Sequence, residues 1–171
     1  MLAARAKGPL RKLILENLAD EEDVAAPHPK LWREFAAAVG VGGEELWTSS
    51  PLPGIERLVE TYQEICREAS LPEAVAALYA YEAQVPEIAT TKMVGLRRYY
   101  GVTRIRGLAY FKVHEGADKV HRAAWREWLA NCEEDSATVD IDADEGQILA
   151  TTRKALDALW GALDSVQEAR L

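Results

Sequence analysis

Apolar residues recur at helical spacing along nearly the whole chain. Leu10, Leu13, Ile14, Leu15 and Leu18 mark an amphipathic helix that opens after Gly8 and Pro9 and runs into the acidic Asp20-Glu21-Glu22-Asp23. Pro27 and Pro29 bracket His28, so that helix stops before them. Pro29 suits the first turn of the next helix, which runs through Leu31, Trp32, Phe35 and Val39 to Gly42-Gly43. A short piece around 44–47 leads to the loop Ser49-Ser50-Pro51-Leu52-Pro53. Ile55, Leu58, Val59, Tyr62, Ile65 and Cys66 then predict a helix over about 54–69. Ser70, with Glu73 three residues on, forms a capping box for the helix that follows.

That following helix is predicted to span 71–100, with Pro86 inside it as a kink, because a mid-helix proline removes a backbone hydrogen bond. Gly101 stops it. A further long helix covers about 103–131, and a last one about 145–168. The acidic stretch between them, 132–145, reads as a solvated loop, and residues 1–8 read as irregular. No strand pattern and no internal repeat stands out. The predicted fold class is all-α.

Length changes this picture little: 171 residues suit a single helical domain, 1–171, with an adequate core. Charge narrows the function. A net charge of −8 argues against nucleic acid, since phosphate binding needs a basic face. No apolar run approaches the roughly 20 residues that span a bilayer, and Arg5 and Lys7 are followed by no signal-like apolar stretch. Two cysteines, Cys66 and Cys132, make no disulfide framework. A cytoplasmic location is expected.

The candidate chemistry lies with the three histidines. His114, Asp118 and His121 sit at i, i+4 and i+7, one stripe of a helix. His28 follows Glu21 by seven residues. Mixed nitrogen and oxygen donors without thiolate suit iron, or manganese, over softer metals. Glu82 interrupts an otherwise apolar stretch, and a carboxylate there is costly to bury unless it is paired or coordinated. Its partner is a metal, or else Lys92 or an arginine. A pair of irons held by carboxylates and histidines projecting from several helices fits this inventory. Plainer readings stand beside it: His28 as a capping residue, His114 and His121 on a solvated face among Glu115, Lys119 and Arg122, and Lys92 as a surface lysine. The tyrosines Tyr79, Tyr81, Tyr99 and Tyr100 read as core or pocket-lining residues, with Tyr81 placed beside Glu82. The five tryptophans read as structural.

Longer motifs carry a resemblance. Glu16-Asn17-Leu18-Ala19-Asp20-Glu21-Glu22 with His28-Pro29-Lys30-Leu31-Trp32, Ala76-Ala77-Leu78-Tyr79-Ala80-Tyr81-Glu82-Ala83-Gln84-Val85-Pro86-Glu87, and Val113-His114-Glu115-Gly116-Ala117-Asp118 resemble the heme-oxygenase-like di-iron oxidases. The resemblance runs from about Leu10 to Leu129. It is strongest to the aminobenzoate-forming oxygenases among them, and more distant to the pyrroloquinoline quinone synthases, which share the fold and work without metal. It implies a heme-oxygenase-like helical bundle in which Glu21, His28, Glu82, His114 and Asp118 are iron ligands and His121 is an additional one. It further implies two iron ions and dioxygen as cofactors, with a small organic substrate or the protein's own side chain being oxidised, in aminobenzoate or related cofactor biosynthesis. Lys92 falls where aminobenzoate-forming members carry a lysine beside the metals, a candidate amine donor, and Tyr81 is the second candidate catalytic residue. Family members usually begin with a further helix pair that closes the pocket and carries the tyrosine thought to supply the aromatic ring, and nothing here corresponds to it. An apolar groove left open there would favour a homodimer. A metal-free oxidase of the quinone-synthase type and a non-catalytic helical interaction protein are the alternatives.

Overall fold

The structure is a computed structural model that describes residues 1–23, 27–132 and 144–170. Among the described residues all regular structure is helical: α1 (Leu2–Arg5), α2 (Gly8–Glu21), α3 (His28–Ala38), α4 (Gly43–Thr48), α5 (Pro53–Glu68), α6 (Leu71–Glu82), α7 (Val85–Tyr99), α8 (Ile105–Asn131) and α9 (Glu145–Glu168). No described helix is long and apolar enough to cross a membrane.

Two expectations are corrected. Residues 71–100 do not form one kinked helix. The chain breaks after Glu82, and Pro86 stands in the first turn of α7 with Gln84 as N-cap. Its missing N–H costs nothing there, because first-turn amides have no partner inside the helix anyway. Residues 1–8 are not wholly irregular either, since Leu2–Arg5 forms a short helix that places Leu2 in the core. Arg5 extends from it to the carbonyls of Cys66 (3.1 Å) and Ala69 (2.5 Å), satisfying the C-terminal end of α5. The acidic stretch read as a loop, 132–145, lies mostly outside the described residues.

The chain divides into two compact units. The first comprises the described parts of Met1–Ile14, Ser50–Tyr81 and Ala123–Leu171. Its core joins Leu2, Leu10, Ile65, Leu71, Val75, Trp125 and Ala155, among others, into one apolar cluster. α5 and α9 approach closely at Gly54, where an added Cβ would fall 2.6 Å from the Gly161 carbonyl oxygen. The Ser70–Glu73 capping box is present: the Glu73 amide donates to Ser70 Oγ at 3.4 Å and the Ser70 amide to Glu73 Oε1 at 3.2 Å. The same glutamate accepts a hydrogen bond from Thr151 on α9. Despite partial burial, these hydrogen bonds hold its carboxyl below the usual carboxylate range.

The second unit comprises Leu15–Ser49 and Glu82–Arg122. Its apolar cluster is smaller: Ala89, Met93 and Leu96 of α7, Val102, and Leu108 and Phe111 of α8, with Phe35 and Tyr110 against it. Gly101 ends α7 at φ +65°, the left-handed conformation that lets the Val102 amide return to the Leu96 carbonyl at 3.1 Å.

Of the tryptophans read as structural, Trp125 and Trp128 are buried, whereas Trp32, Trp47 and Trp160 are exposed. Tyr99 and Tyr100, read as core or pocket-lining, are also exposed. A tryptophan on a helix that packs one face leaves the opposite face in water, and sequence spacing does not say which face wins.

Candidate metal centre

The six carboxylates and histidines singled out as ligands all belong to the second unit. Helix pairing brings the first three together. α3 and α8 run in opposite directions, as their contacts descend in register: Ala38 beside Gly107, Phe35 beside Phe111 (ring centroids 5.0 Å), Trp32 beside Tyr110 (4.9 Å) and His28 beside His114 (4.5 Å). Glycine is required at 107, since a Cβ there would come within 2.6 Å of the Ala38 Cβ. Pro27 caps α3 in extended conformation and Pro29 occupies its first turn, so His28 is the first helical residue. Glu21, the last residue of α2, places Oε2 2.6 Å from His28 Nδ1. Ligand atoms of Glu21, His28 and His114 all lie within 4.8 Å of one another.

The His114 ring is oriented by its own helix. Its Nδ1 lies 2.7 Å from the Tyr110 carbonyl, which can only accept, so Nδ1 carries the proton and the Nε2 lone pair is free. A backbone partner of this kind is how metal-binding imidazoles are commonly held.

The other three residues form a second group. His121 Nδ1 is 3.7 Å from Asp118 Oδ1 and 4.0 Å from Glu82 Oε2. Its Nε2 is 2.9 Å from Asp20 Oδ2, and Asn17 Nδ2 donates to Glu82 Oε1 at 3.3 Å. The carboxylate of Asp118 pushes the His121 imidazole up to about 9; burial opposes this, and Asp20 and Glu82 reinforce it. Two atoms here are buried without a hydrogen-bond partner: His121 Nδ1 and Asp118 Oδ2. Orphaned polar atoms are rare in proteins because each carries a desolvation cost of about 1–3 kcal/mol. Once the imidazole gives up its proton, that nitrogen and the orphaned carboxylate oxygen are donors a divalent cation satisfies, so the residues fit iron.

Burial rules out one of the plainer readings. His28, His114 and His121 are 5%, 8% and 7% exposed, and Asp118 is 4% exposed, so the stripe does not lie on a solvated face. The two proposed catalytic residues are placed differently. Lys92 is exposed on α7. Tyr81 belongs to the first unit, where its ring meets Tyr62 edge-on at 6.0 Å.

Three contributors escaped the sequence reading: Asp20 and Asn17 on α2, and Tyr110 on α8. Asp20 was within the acidic run and the first glutamate motif, yet its partner lies 101 residues away. Only the i−4 relation of Tyr110 to His114 was available as a local signal.

The sequence matches the family of iron-containing redox enzymes over residues 1–160. It is 40% identical over 159 residues to the 4-aminobenzoate synthase of Nitrosomonas europaea, covering 93% of this chain and 62% of that protein. It is 37% identical over 160 residues to the 4-aminobenzoate synthase of Chlamydia muridarum, covering 92% and 64%. That of Chlamydia pneumoniae is 36% identical over 156 residues, covering 91% and 66%. The chain thus spans somewhat less than two thirds of the length of these relatives.

Proposed function

The chain belongs to the iron-containing redox enzyme family, whose fold is heme-oxygenase-like and all-α, and from that premise we propose that it is the metal-holding core of a dioxygen-using di-iron oxygenase of the aminobenzoate-forming type. Glu21, His28 and His114 would hold one iron, and Glu82, Asp118 and His121 would hold the other. The observation that carries this reading is the gathering of half-exposed Glu21 with the buried His28 and His114, all three ligand atoms lying within 4.8 Å of one another, beside a second group with unpartnered donor atoms.

Iron bound here supplies the one-electron and dioxygen chemistry that side chains lack. The chain's own residues do the rest. The Tyr110 carbonyl fixes the proton of His114 on Nδ1 and presents Nε2. Asp20 accepts from His121 Nε2 and turns Nδ1 toward Asp118 and Glu82. Loading that group requires the Nδ1 proton to leave, so uptake is coupled to proton release. The Tyr110 ring packs against both His28 and His114, with centroids 6.3 and 4.2 Å away, and Trp32 packs against Tyr110 in turn.

The names of the relatives support aminobenzoate as the product class. The substrate is a small aromatic molecule or a side chain of the protein itself, with exposed Lys92 as the amine source and Tyr81 as a redox-active residue. A homodimer belongs to the same proposal, and light scattering at high concentration tests it.

Anaerobic titration with ferrous ion, followed by admission of oxygen under optical monitoring, tests the metal reading. Two irons per chain are expected, with one lost in Glu82→Ala and one in His114→Ala. No uptake by a folded chain would overturn it, and would favour a metal-free enzyme or an interaction protein on the same fold.

A further inference from the structure

We propose that Arg122 is a positioning residue for Glu82, holding the end of α6 at the height on α8 where Glu82 meets His121. The inference rests on the metal reading above, in that it gives Glu82 and His121 a shared ion.

The need for such a residue comes from the break between α6 and α7. A carboxylate in the middle of a helix is held by the turns on both sides. Glu82 is instead the last residue of α6, followed by Ala83 and Gln84 before α7 begins at Val85. Pro86 prevents the two helices from joining, because it has no amide proton and its ring clashes with the carbonyl four residues earlier. Last-turn carbonyls have no intrahelical partner, and helix ends fray unless something outside supplies one.

Arg122 supplies it from another element. Its Nη1 donates to the Ala83 carbonyl at 2.9 Å and lies 3.2 and 3.3 Å from Glu87 Oε1 and Oε2. One guanidinium therefore grips the residue after Glu82 and the first turn of α7. The pairing is in step along both chains: Ala83 follows Glu82, and Arg122 follows His121, whose Nδ1 is 4.0 Å from Glu82 Oε2. Asn17 holds the other carboxylate oxygen at 3.3 Å. The Glu82 carboxylate is thus fixed by its neighbour's backbone on one side and by an amide on the other.

The ion pair itself adds little stability. The Glu87 side chain is 67% exposed, and exposed pairs contribute about 0–1 kcal/mol. Its contribution is placement, which a site with donors 3.7–4.0 Å apart requires more than it requires rigidity elsewhere.

The test uses the full chain with ferrous ion as probe, added anaerobically, and R122Q, R122K and E87Q beside the unsubstituted protein. Glu82→Ala serves as the reference for a lost second ion. R122Q should weaken binding of that ion about 10- to 100-fold, the range seen when outer partners of metal ligands are removed. Uptake of the ion held by Glu21, His28 and His114 should not change. R122K keeps a cationic donor for the Ala83 carbonyl and should recover most of the loss, and E87Q, which spares that contact, should change binding least. Hydrogen exchange of the metal-free chain should quicken around residues 83–88 in R122Q. Faster exchange with unchanged binding of the second ion would make Arg122 structural only and overturn the proposal. Equal weakening of both ions would overturn it too. An unsubstituted chain that binds one ion or none refutes the metal reading itself, a result visible before any variant is compared.

Discussion

The two units are built from the same kind of helix and spend their interiors differently. The first buries Leu10, Val75 and Trp125 in a continuous apolar cluster, and Thr61 is its one buried polar residue among those described. The second has an apolar cluster of six buried residues and adds His28, His114, Asp118 and His121 to its buried set. Burial of apolar area stabilises at about 25 cal/mol per Å², whereas buried polar atoms without partners cost free energy. The difference suits the first region to stability and, on the proposed metal reading, the second to chemistry. On the proposed metal reading, the second region is then the one whose stability depends on what it binds.

The largest effect that would break this comparison is loss of the first core. Trp125 is 1% exposed, and Trp125→Ala should cost about 3–5 kcal/mol. That is a large share of the roughly 5–15 kcal/mol that holds a typical domain. A thermal melt followed by circular dichroism should show a Tm lowered by many degrees or no cooperative transition. A Tm within a degree or two of the unsubstituted chain would remove the first unit from its role.

Next in size is the effect of metal on the second unit. Ferrous ion at about 100 times its Kd should stabilise the state that binds it by about 2.7 kcal/mol. Hydrogen exchange should slow in Leu15–Ser49 and Glu82–Arg122 before it slows in the first unit. His28→Ala and His114→Ala should each abolish most of the slowing. Uniform protection of both units, or none, would contradict the contrast.

Alkaline pH sharpens the comparison further, because the two regions titrate in different windows. In the metal-free chain His121 is raised from 6.5 to about 9, chiefly by Asp118. A group raised in the folded state favours folding while it is protonated. Its contribution is therefore full below about 6.5 and is lost as pH rises through about 9. In the first unit Tyr62 is raised to about 12 by burial, with Tyr81 and Cys66 adding to it. The unfolded chain ionises this phenol first, so stability falls between about 10 and 12. Exchange measured from pH 6 to pH 11 should show the second unit loosening first, and His121→Gln should flatten the lower window while leaving the upper.

How much of this was readable in the sequence follows the same division between local and distant causes. The stripe His114, Asp118, His121 was visible because helical spacing alone puts those residues on one face; that the face is covered was left open. The capping box at Ser70–Glu73 and the stop at Gly101 were visible for the same reason, as each is decided by residues close in sequence. Pro86 was seen and misread: the local rule states that a proline disturbs a helix, while only tertiary contacts choose between a kink and a break. Asp20 and Arg122 were not visible, since their partners lie 101 and 39 residues away and nothing in an acidic run or a basic residue names a distant partner. The short helix α1 was missed because four residues carry too weak a helical signal without the core that Leu2 enters.

The smallest expected effect isolates local stabilisation from the two cores. Asp144 caps α9 in a reciprocal arrangement: its Oδ1 accepts from the Gln147 amide at 2.8 Å, and its own amide donates to Gln147 Oε1 at 3.2 Å. Losing an N-cap carboxylate costs about 1 kcal/mol, part of it from the favourable interaction of negative charge with the helix N-terminus. α9 belongs to the first unit and contributes the fully buried Ala155 to its core, so Asp144→Ala should lower Tm by a few degrees. Asp144→Ser, which keeps the acceptor and removes the charge, should recover most of that loss. Ferrous uptake should be the same in all three chains, because none of the six proposed donors lies in this unit. A cap variant that lost iron binding along with its degree or two of stability would show that the two regions do not divide stability and chemistry between them.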